Sequence, residues 1–201
     1  MSEFWFKFFY AIAWPFFNLV HPGKVTGRSK VPQGPCLLCG NHTRYSDPFF
    51  ILFALGRKDH PYVMAKAELL RYPVLGWILK KVGTFGVDMG KSDVRAIKEA
   101  LRVLKEGNKL LLFPEGTRIR SGESQGAKTG AAMLALRTGV PIVPIWMPAK
   151  KRWFARTPVV FGDPYYPEAP ETGKPTSEDY RRVADDLLAR IMALGEQYHG
   201  N

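Results

Sequence analysis

Pro35-Cys36-Leu37-Leu38-Cys39-Gly40-Asn41-His42-Thr43-Arg44-Tyr45-Ser46-Asp47-Pro48-Phe49 runs from an apolar stretch through a polar turn into the start of a helix. The apolar run after Pro35 reads as a buried strand. Asp47 precedes a proline, which disfavours helical geometry at that residue, and Pro48 suits the first helical position, so Asp47 is the natural N-cap. Outward from this strand, short apolar runs alternate with helical patterns along the chain. Strand candidates are Val25-Thr26, Cys36 to Gly40, Tyr62 to Ala65, Thr84 to Val87, Leu110 to Phe113, Ile142 to Trp146 and Val159 to Phe161. Between them Ser92 is placed to cap a helix with the stripe Val94, Ile97, Leu101 and Leu104, ended by Gly107. Ala127 to Thr138 reads as another helix, closed by Gly139. A last one from about Ser177 buries Val183, Leu187, Ile191 and Leu194. Such alternation predicts an α/β domain with a mixed, mostly parallel sheet and helices on both faces. Residues 150–175, rich in proline, predict one strand among surface loops and no second domain.

The chain has 201 residues, enough for one sizeable core, and its 46% apolar and 23% charged composition is that of a globular protein. Its 29 basic and 18 acidic residues leave a net charge of +11, which favours polyanionic partners. Five Trp, eight Tyr and thirteen Phe tilt that preference towards an anionic membrane surface, where aromatic rings settle at headgroup level. The basic residues are dispersed, and there is no RNP-like or helix-turn-helix pattern, so nucleic acid is not an expected partner. Cys36 and Cys39 are the two cysteines. Their odd separation on a strand points them to opposite faces, as buried, inert thiols rather than a redox or metal pair. Without a disulfide framework, a reducing compartment is expected.

Residues 1–21 stand apart. Phe4 to Val20 is almost wholly apolar and aromatic, but it contains Lys7 and Pro15 and falls short of the ~20 residues of a spanning helix. It reads best as a helix lying in the membrane interface, ahead of a domain over 22–201. A core helix, a spanning helix and a cleaved leader are the alternatives.

Two polar motifs carry chemistry. In a regular helix His42 and Asp47 would lie about 140° apart and ~7.5 Å along the axis. A turn, by contrast, can fold the carboxylate back to the imidazole. A carboxylate on one ring nitrogen fixes the tautomer and frees the other to act as a general base. The same residues would also serve as a plain helix cap and a loop hydrogen bond. The second motif, Phe113-Pro114-Glu115-Gly116-Thr117-Arg118, follows Leu110-Leu111-Leu112, and charged groups directly after a strand lie at the rim where α/β proteins bind ligands. Arg118 can grip a phosphate bidentately, with Arg120 adding charge, and Gly116 permits a tight turn. Glu115 would orient the arginines or bind a substrate hydroxyl, and Lys128 opens the next helix towards the same place. A solvated, salt-bridged turn is the alternative. No second cluster of His or Cys at ligand spacing points to a metal.

In sequence, His42 through Asp47 is an H-x4-D motif and Phe113 to Arg118 an F-P-E-G-T-R motif. With them the chain resembles the glycerolipid acyltransferase family, over about residues 23–165. Lys81 to Asp88 is similar to that family's second motif and Val140 to Ile145 to its fourth. The resemblance implies a glycerol-3-phosphate acyltransferase-like fold and, without cofactor or metal, acyl transfer to 1-acylglycerol-3-phosphate (lysophosphatidic acid). His42 would deprotonate the acceptor hydroxyl, oriented by Asp47, for direct attack on the thioester of an acyl carrier protein or acyl-coenzyme A. Glu115, Gly116, Thr117 and Arg118 would hold the glycerol phosphate. The family usually has an arginine after the second-motif aspartate; here it is Met89, so Lys91 or Arg95 would supply that charge, or the acceptor differs. The expected location is the cytoplasmic face of the cell membrane, and a non-catalytic peripheral membrane protein that binds anionic lipid is the alternative to the enzyme.

Overall fold

The structure is a computed structural model, and it describes residues 3–88, 93–116, 126–168, 170 and 173–199. In chain order the elements are α1 (Glu3–Val20), β1 (Gly23–Thr26), β2 (Leu37–Gly40), α2 (Asp47–Leu55), β3 (Tyr62–Lys66), α3 (Pro73–Lys81) and β4 (Thr84–Val87). Then follow α4 (Val94–Lys105), β5 (Leu110–Leu112), α5 (Gly130–Thr138), β6 (Ile142–Trp146), β7 (Thr157–Phe161) and α6 (Ser177–His199). The strands form one seven-stranded sheet in the order β1-β7-β6-β2-β5-β3-β4. Every pairing is parallel except β6 with β7.

The central strands β2, β5 and β6 are buried along their whole length, which is why they read as unbroken apolar runs rather than as alternations. Successive side chains serve two cores. Leu37, Cys39, Leu110 and Leu112 pack with α4, α5 and α6; Cys36, Leu38 and Leu111 pack with Phe50, Ile51, Ala54 and Leu55 of α2. The expected opposite facing of the two cysteines is therefore found. Gly40 lets α2 come close: a Cβ there would stand 2.9 Å from Ile51 Cδ1.

Three details differ from the sequence expectation. Helix α2 begins at Asp47 itself, with Ser46 in the cap position, so Asp47 does not cap its helix by side chain. Asp93 caps α4, accepting from the backbone N–H groups of Arg95 and Ala96 at 3.0 and 3.1 Å; Ser92 lies outside the described residues. The buried face of α4 is Ala96, Ala100, Val103 and Leu104, while Val94 in the first turn faces out. The two alanines let the helix lie close on the sheet, so the core line passes through them.

Helix α1 docks on α2. Phe17 stacks edge-on against Phe50 at 4.8 Å, Tyr10 Oη donates to the Phe53 carbonyl at 3.3 Å, and Phe6 is buried. Its other side exposes Phe4, Phe8, Ile12, Phe16 and Leu19. Among the described residues no helix is long and apolar enough to cross a membrane.

Candidate active site

β6, β2 and β5 are neighbours and run parallel, so their carboxyl ends open at one rim of the sheet. Asn41 and His42 follow β2, Phe113 to Gly116 follow β5, and Met147 to Lys151 follow β6. Residues far apart in sequence are thus delivered to one place by strand register.

Asn41 ties two of these ends together. Its amide donates to the Met147 carbonyl at 2.8 Å and accepts from the Met147 N–H at 2.9 Å. Beside it, His42 Nδ1 is 3.1 Å from Asp47 Oδ2. The same carboxylate oxygen accepts the backbone N–H groups of Thr43 and Arg44 at 2.6 and 2.7 Å. The turn therefore closes on the side chain of Asp47, as a loop that holds its carboxylate against the imidazole. With Nδ1 on the carboxylate, Nε2 is the nitrogen left to take a proton. The imidazole lies flat on the Phe113 ring, with centroids 4.2 Å apart and planes at 22°.

The other oxygen of Asp47 faces a buried lysine. Lys151 Nζ is 2.8 Å from Asp47 Oδ1, an ion pair rather than a well-directed hydrogen bond. The ammonium also donates to Thr43 Oγ1 at 3.1 Å and to the Pro148 carbonyl at 2.8 Å. Burial would raise the Asp47 carboxyl, but the His42 ring, the Lys151 charge and the Arg44 N–H outweigh it and hold it below the ordinary range. Burial in turn draws Lys151 below the ordinary lysine range, against the pull of Asp47. A charge this enclosed needs its partner.

Glu115 is buried under the loop, where Oε2 accepts the His42 backbone N–H at 2.9 Å. Burial pushes its carboxyl up to about 7, opposed by the His42 N–H and reinforced by the nearby Asp47 charge. Expected from sequence to orient the arginines or bind a substrate hydroxyl, Glu115 uses one of its two oxygens to hold the backbone of His42. Gly116 has the left-handed φ of 69° that its turn requires, and a Cβ there would stand 2.7 Å from Lys128 Cε. Lys128 is exposed and precedes α5 rather than opening it; its N–H donates to the Pro114 carbonyl at 2.7 Å, and its side chain lies across the Gly116 turn. Thr117, Arg118, Arg120, Met89 and Lys91 lie outside the described residues. Arg95 is exposed, with Nη2 3.7 Å from an Asp88 carboxylate oxygen. Among the described residues no group of three or more His, Cys, Asp or Glu side chains could hold a metal ion.

The sequence reading missed Lys151 and the bridging role of Asn41. Lys151 sits in the run Lys150-Lys151-Arg152, which resembles a solvated basic patch. Asn41, directly after a strand and before the histidine, offered a signal, since an amide there can pair with a neighbouring strand's backbone.

Comparison with known proteins places this rim in a family. The acyltransferase family model matches residues 23–148, which include His42, Asp47, Glu115 and Gly116. The 1-acyl-sn-glycerol-3-phosphate acyltransferase of Borreliella burgdorferi is 32% identical over 136 residues, 66% of this chain and 53% of that protein. The lyso-ornithine lipid O-acyltransferase of Pseudomonas aeruginosa is 34% identical over 126 residues, 62% of this chain and 47% of its own. The chain thus spans about half the length of these curated relatives. The crystal structure of the 1-acyl-sn-glycerophosphate acyltransferase of Thermotoga maritima shares the fold, with a TM-score of 0.68 over 98% of this chain and 79% of that one, at 23% identity. With the expected α/β sheet built, His42, Asp47 and Glu115 gathered at one rim and more than half of its length matched by one family model, the chain belongs to the acyltransferase family.

Proposed function

We propose that this protein transfers an acyl chain from an acyl thioester to the free hydroxyl of 1-acylglycerol-3-phosphate, giving phosphatidic acid. The observation that carries the reading is the imidazole of His42 held by Asp47 at 3.1 Å with its other nitrogen left as a base. Nε2 takes the hydroxyl proton as the oxygen attacks the thioester carbonyl. The tetrahedral oxyanion collapses, the C–S bond breaks, and the imidazolium returns its proton to the leaving thiolate. No acyl-enzyme is needed, in keeping with two cysteines that are both fully buried. Lys128 beside the Gly116 turn supplies one cation for the acceptor's phosphate, with Thr117 and Arg118 assigned to it from the family motif and Lys91 or Arg95 standing in for the motif arginine that is Met89 here. The donor is acyl carrier protein or acyl-coenzyme A, for which the basic surface suits an acidic carrier. The exposed aromatic side of α1 supports a place at the cytoplasmic face of the cell membrane, with α1 lying in an anionic interface.

A second acceptor has a specific observation in its favour. Met89 stands where the family's second motif usually has arginine, and one relative at 34% identity is a lyso-ornithine lipid O-acyltransferase. The deciding assay offers labelled acyl carrier protein and acyl-coenzyme A with lysophosphatidate or lyso-ornithine lipid, with His42→Ala alongside. Phosphatidate from the parent and none from the variant supports the reading. Product from lyso-ornithine lipid alone replaces the acceptor, and undiminished turnover in His42→Ala removes the base. Arg118→Ala should raise the KM for the phosphorylated acceptor far more than that for the donor.

A further inference from the structure

The connection from β6 to β7, residues 147–156, is fastened at its root and bare at its tip. Its root is the Asn41–Met147 amide pair and the buried Lys151 ammonium on Asp47 and Thr43. Beyond Lys151 the chain projects outward, leaving Trp153 69% and Phe154 71% exposed. Phe154 has a φ of 57°, the one positive value among the described non-glycine residues and an uncommon conformation for a bulky side chain. The tip is nevertheless held: the Phe154 N–H donates to the carbonyl of Val20, the last residue of α1, at 2.7 Å, and the Trp153 ring lies 5.2 Å from that of His21. The two rings therefore continue the apolar side of α1, which at this end exposes Phe16 and Leu19 by 71% and 70%. Lys150, Arg152 and Arg156 surround the tip, all exposed, and the side chain of none of them is bonded or ion-paired to a described residue.

We propose that this tip is a second membrane contact, in which Trp153 and Phe154 enter the headgroup region of an anionic bilayer and the three cations meet lipid phosphates. It rests on the reading of the protein as an acyltransferase acting on a membrane lipid, and it gives that reading a geometry. Rings that are amphipathic or apolar, flanked by exposed basic residues with no side-chain partner among the described residues, are the chemistry of an interfacial contact. An acidic protein partner would use the same cations, but the rings run on into the apolar side of α1, and that continuity favours a lipid surface. Because the root of the loop is the lysine that faces Asp47, the bilayer would sit at the mouth of the His42 site. A single-chain acceptor could then reach the base with its acyl chain still in the membrane.

The test compares the full chain with Trp153→Ser/Phe154→Ser and with Lys150→Gln/Arg152→Gln/Arg156→Gln. Binding is read by sedimentation with phosphatidylcholine vesicles containing about a quarter phosphatidylglycerol, and unchanged melting temperature shows that each variant is folded. The ring variant should bind vesicles ~10-fold more weakly, and the charge variant roughly 100-fold at low salt, a difference that vanishes at high salt. Acyl transfer to vesicle-borne lysophosphatidate should fall in step, while transfer to a short-chain, water-soluble lysophosphatidate is unchanged. Unaltered vesicle binding in both variants overturns the proposal. So does an equal loss on soluble and vesicle-borne acceptor, which would put the rings in the substrate site. A raised KM for acyl carrier protein with vesicle binding intact would reassign the tip to that acidic protein. Vesicle binding is measured without turnover, so a failure of the assigned reaction leaves this result readable.

Discussion

Replacing Lys151 by methionine keeps most of the side chain's volume and deletes the charge that faces Asp47. The aspartate would then be a buried carboxylate with its ring and backbone donors intact but one oxygen facing an apolar terminus. Removing one partner of a buried ion pair costs about 3–5 kcal/mol. Three remaining N–H partners on the other oxygen put this case near the lower end, about 3 kcal/mol. In a chain of this size that lowers the melting temperature by roughly 6–12 °C at neutral pH. The pH dependence is the sharper reading. Asp47 is held low in the folded protein, so the stability it contributes is present above its unfolded value and is lost as pH falls through the folded one. Without Lys151 the folded value rises, so the variant protonates Asp47 earlier on acidification and sheds its penalty. The gap between parent and variant should therefore be widest near neutrality and narrow as pH falls into the carboxylate range. Asp47→Asn added to Lys151→Met removes both charges and should recover most of the lost stability. Calorimetry across pH measures all of this, and kcat/KM should fall at least ~10-fold with the displaced base. A melting temperature equal to the parent's, or a gap that stays constant with pH, would refute the assignment of Lys151 as the counter-charge that holds the pair.

Glu115→Gln keeps an acceptor for the His42 N–H and removes an acid pushed up to about 7. A raised folded value means the parent loses stability as pH climbs from about 4.5 to 7, on the order of 3 kcal/mol, and the variant does not; parallel melting curves across that window would contradict it. Asn41→Ala strands both the N–H and the carbonyl of Met147 and should cost about 2–4 kcal/mol by denaturant unfolding. A loss under ~1 kcal/mol would mean that the ends of β2 and β6 hold without it. Gly116→Ala forces a side chain into a left-handed turn and against Lys128, costing about 1–2 kcal/mol. It should raise the KM for a phosphorylated acceptor above that for the donor; equal effects on both would detach Lys128 from the phosphate.

The central strands β2, β5 and β6 were legible because a parallel sheet covered on both faces needs unbroken apolar runs, and all seven candidates appear within a residue or two of their ends. The face of α4 was harder. Ala96 and Ala100 carry too little apolar surface to mark a stripe, although they are what the sheet packs against. Helix α3 was not foreseen, since its exposed Val74, Leu75 and Trp77 follow no core pattern. At the site, the closeness of His42 and Asp47 could be argued from Pro48 and the turn, because the interaction is local. Lys151 could not: it reaches Asp47 across 104 positions of chain, through the neighbouring registers of β2 and β6, and adjacent basic residues disguise it. Glu115 illustrates the same limit, for nothing in its motif says that the carboxylate turns inward.

Cys36 and Cys39 belong to one stretch of chain but to different cores, one beneath α2 and the other beneath α4, α5 and α6. Both are closed to solvent, and burial raises both thiols, Cys36 to about 12 and Cys39 further, so neither reacts while its cover is in place. A thiol reagent added to the native protein therefore clocks the lifting of each helical layer separately. Early modification at Cys36 alone would time the departure of α2, with the aspartate it carries. Matched rates at both would mean that the two layers open in a single event.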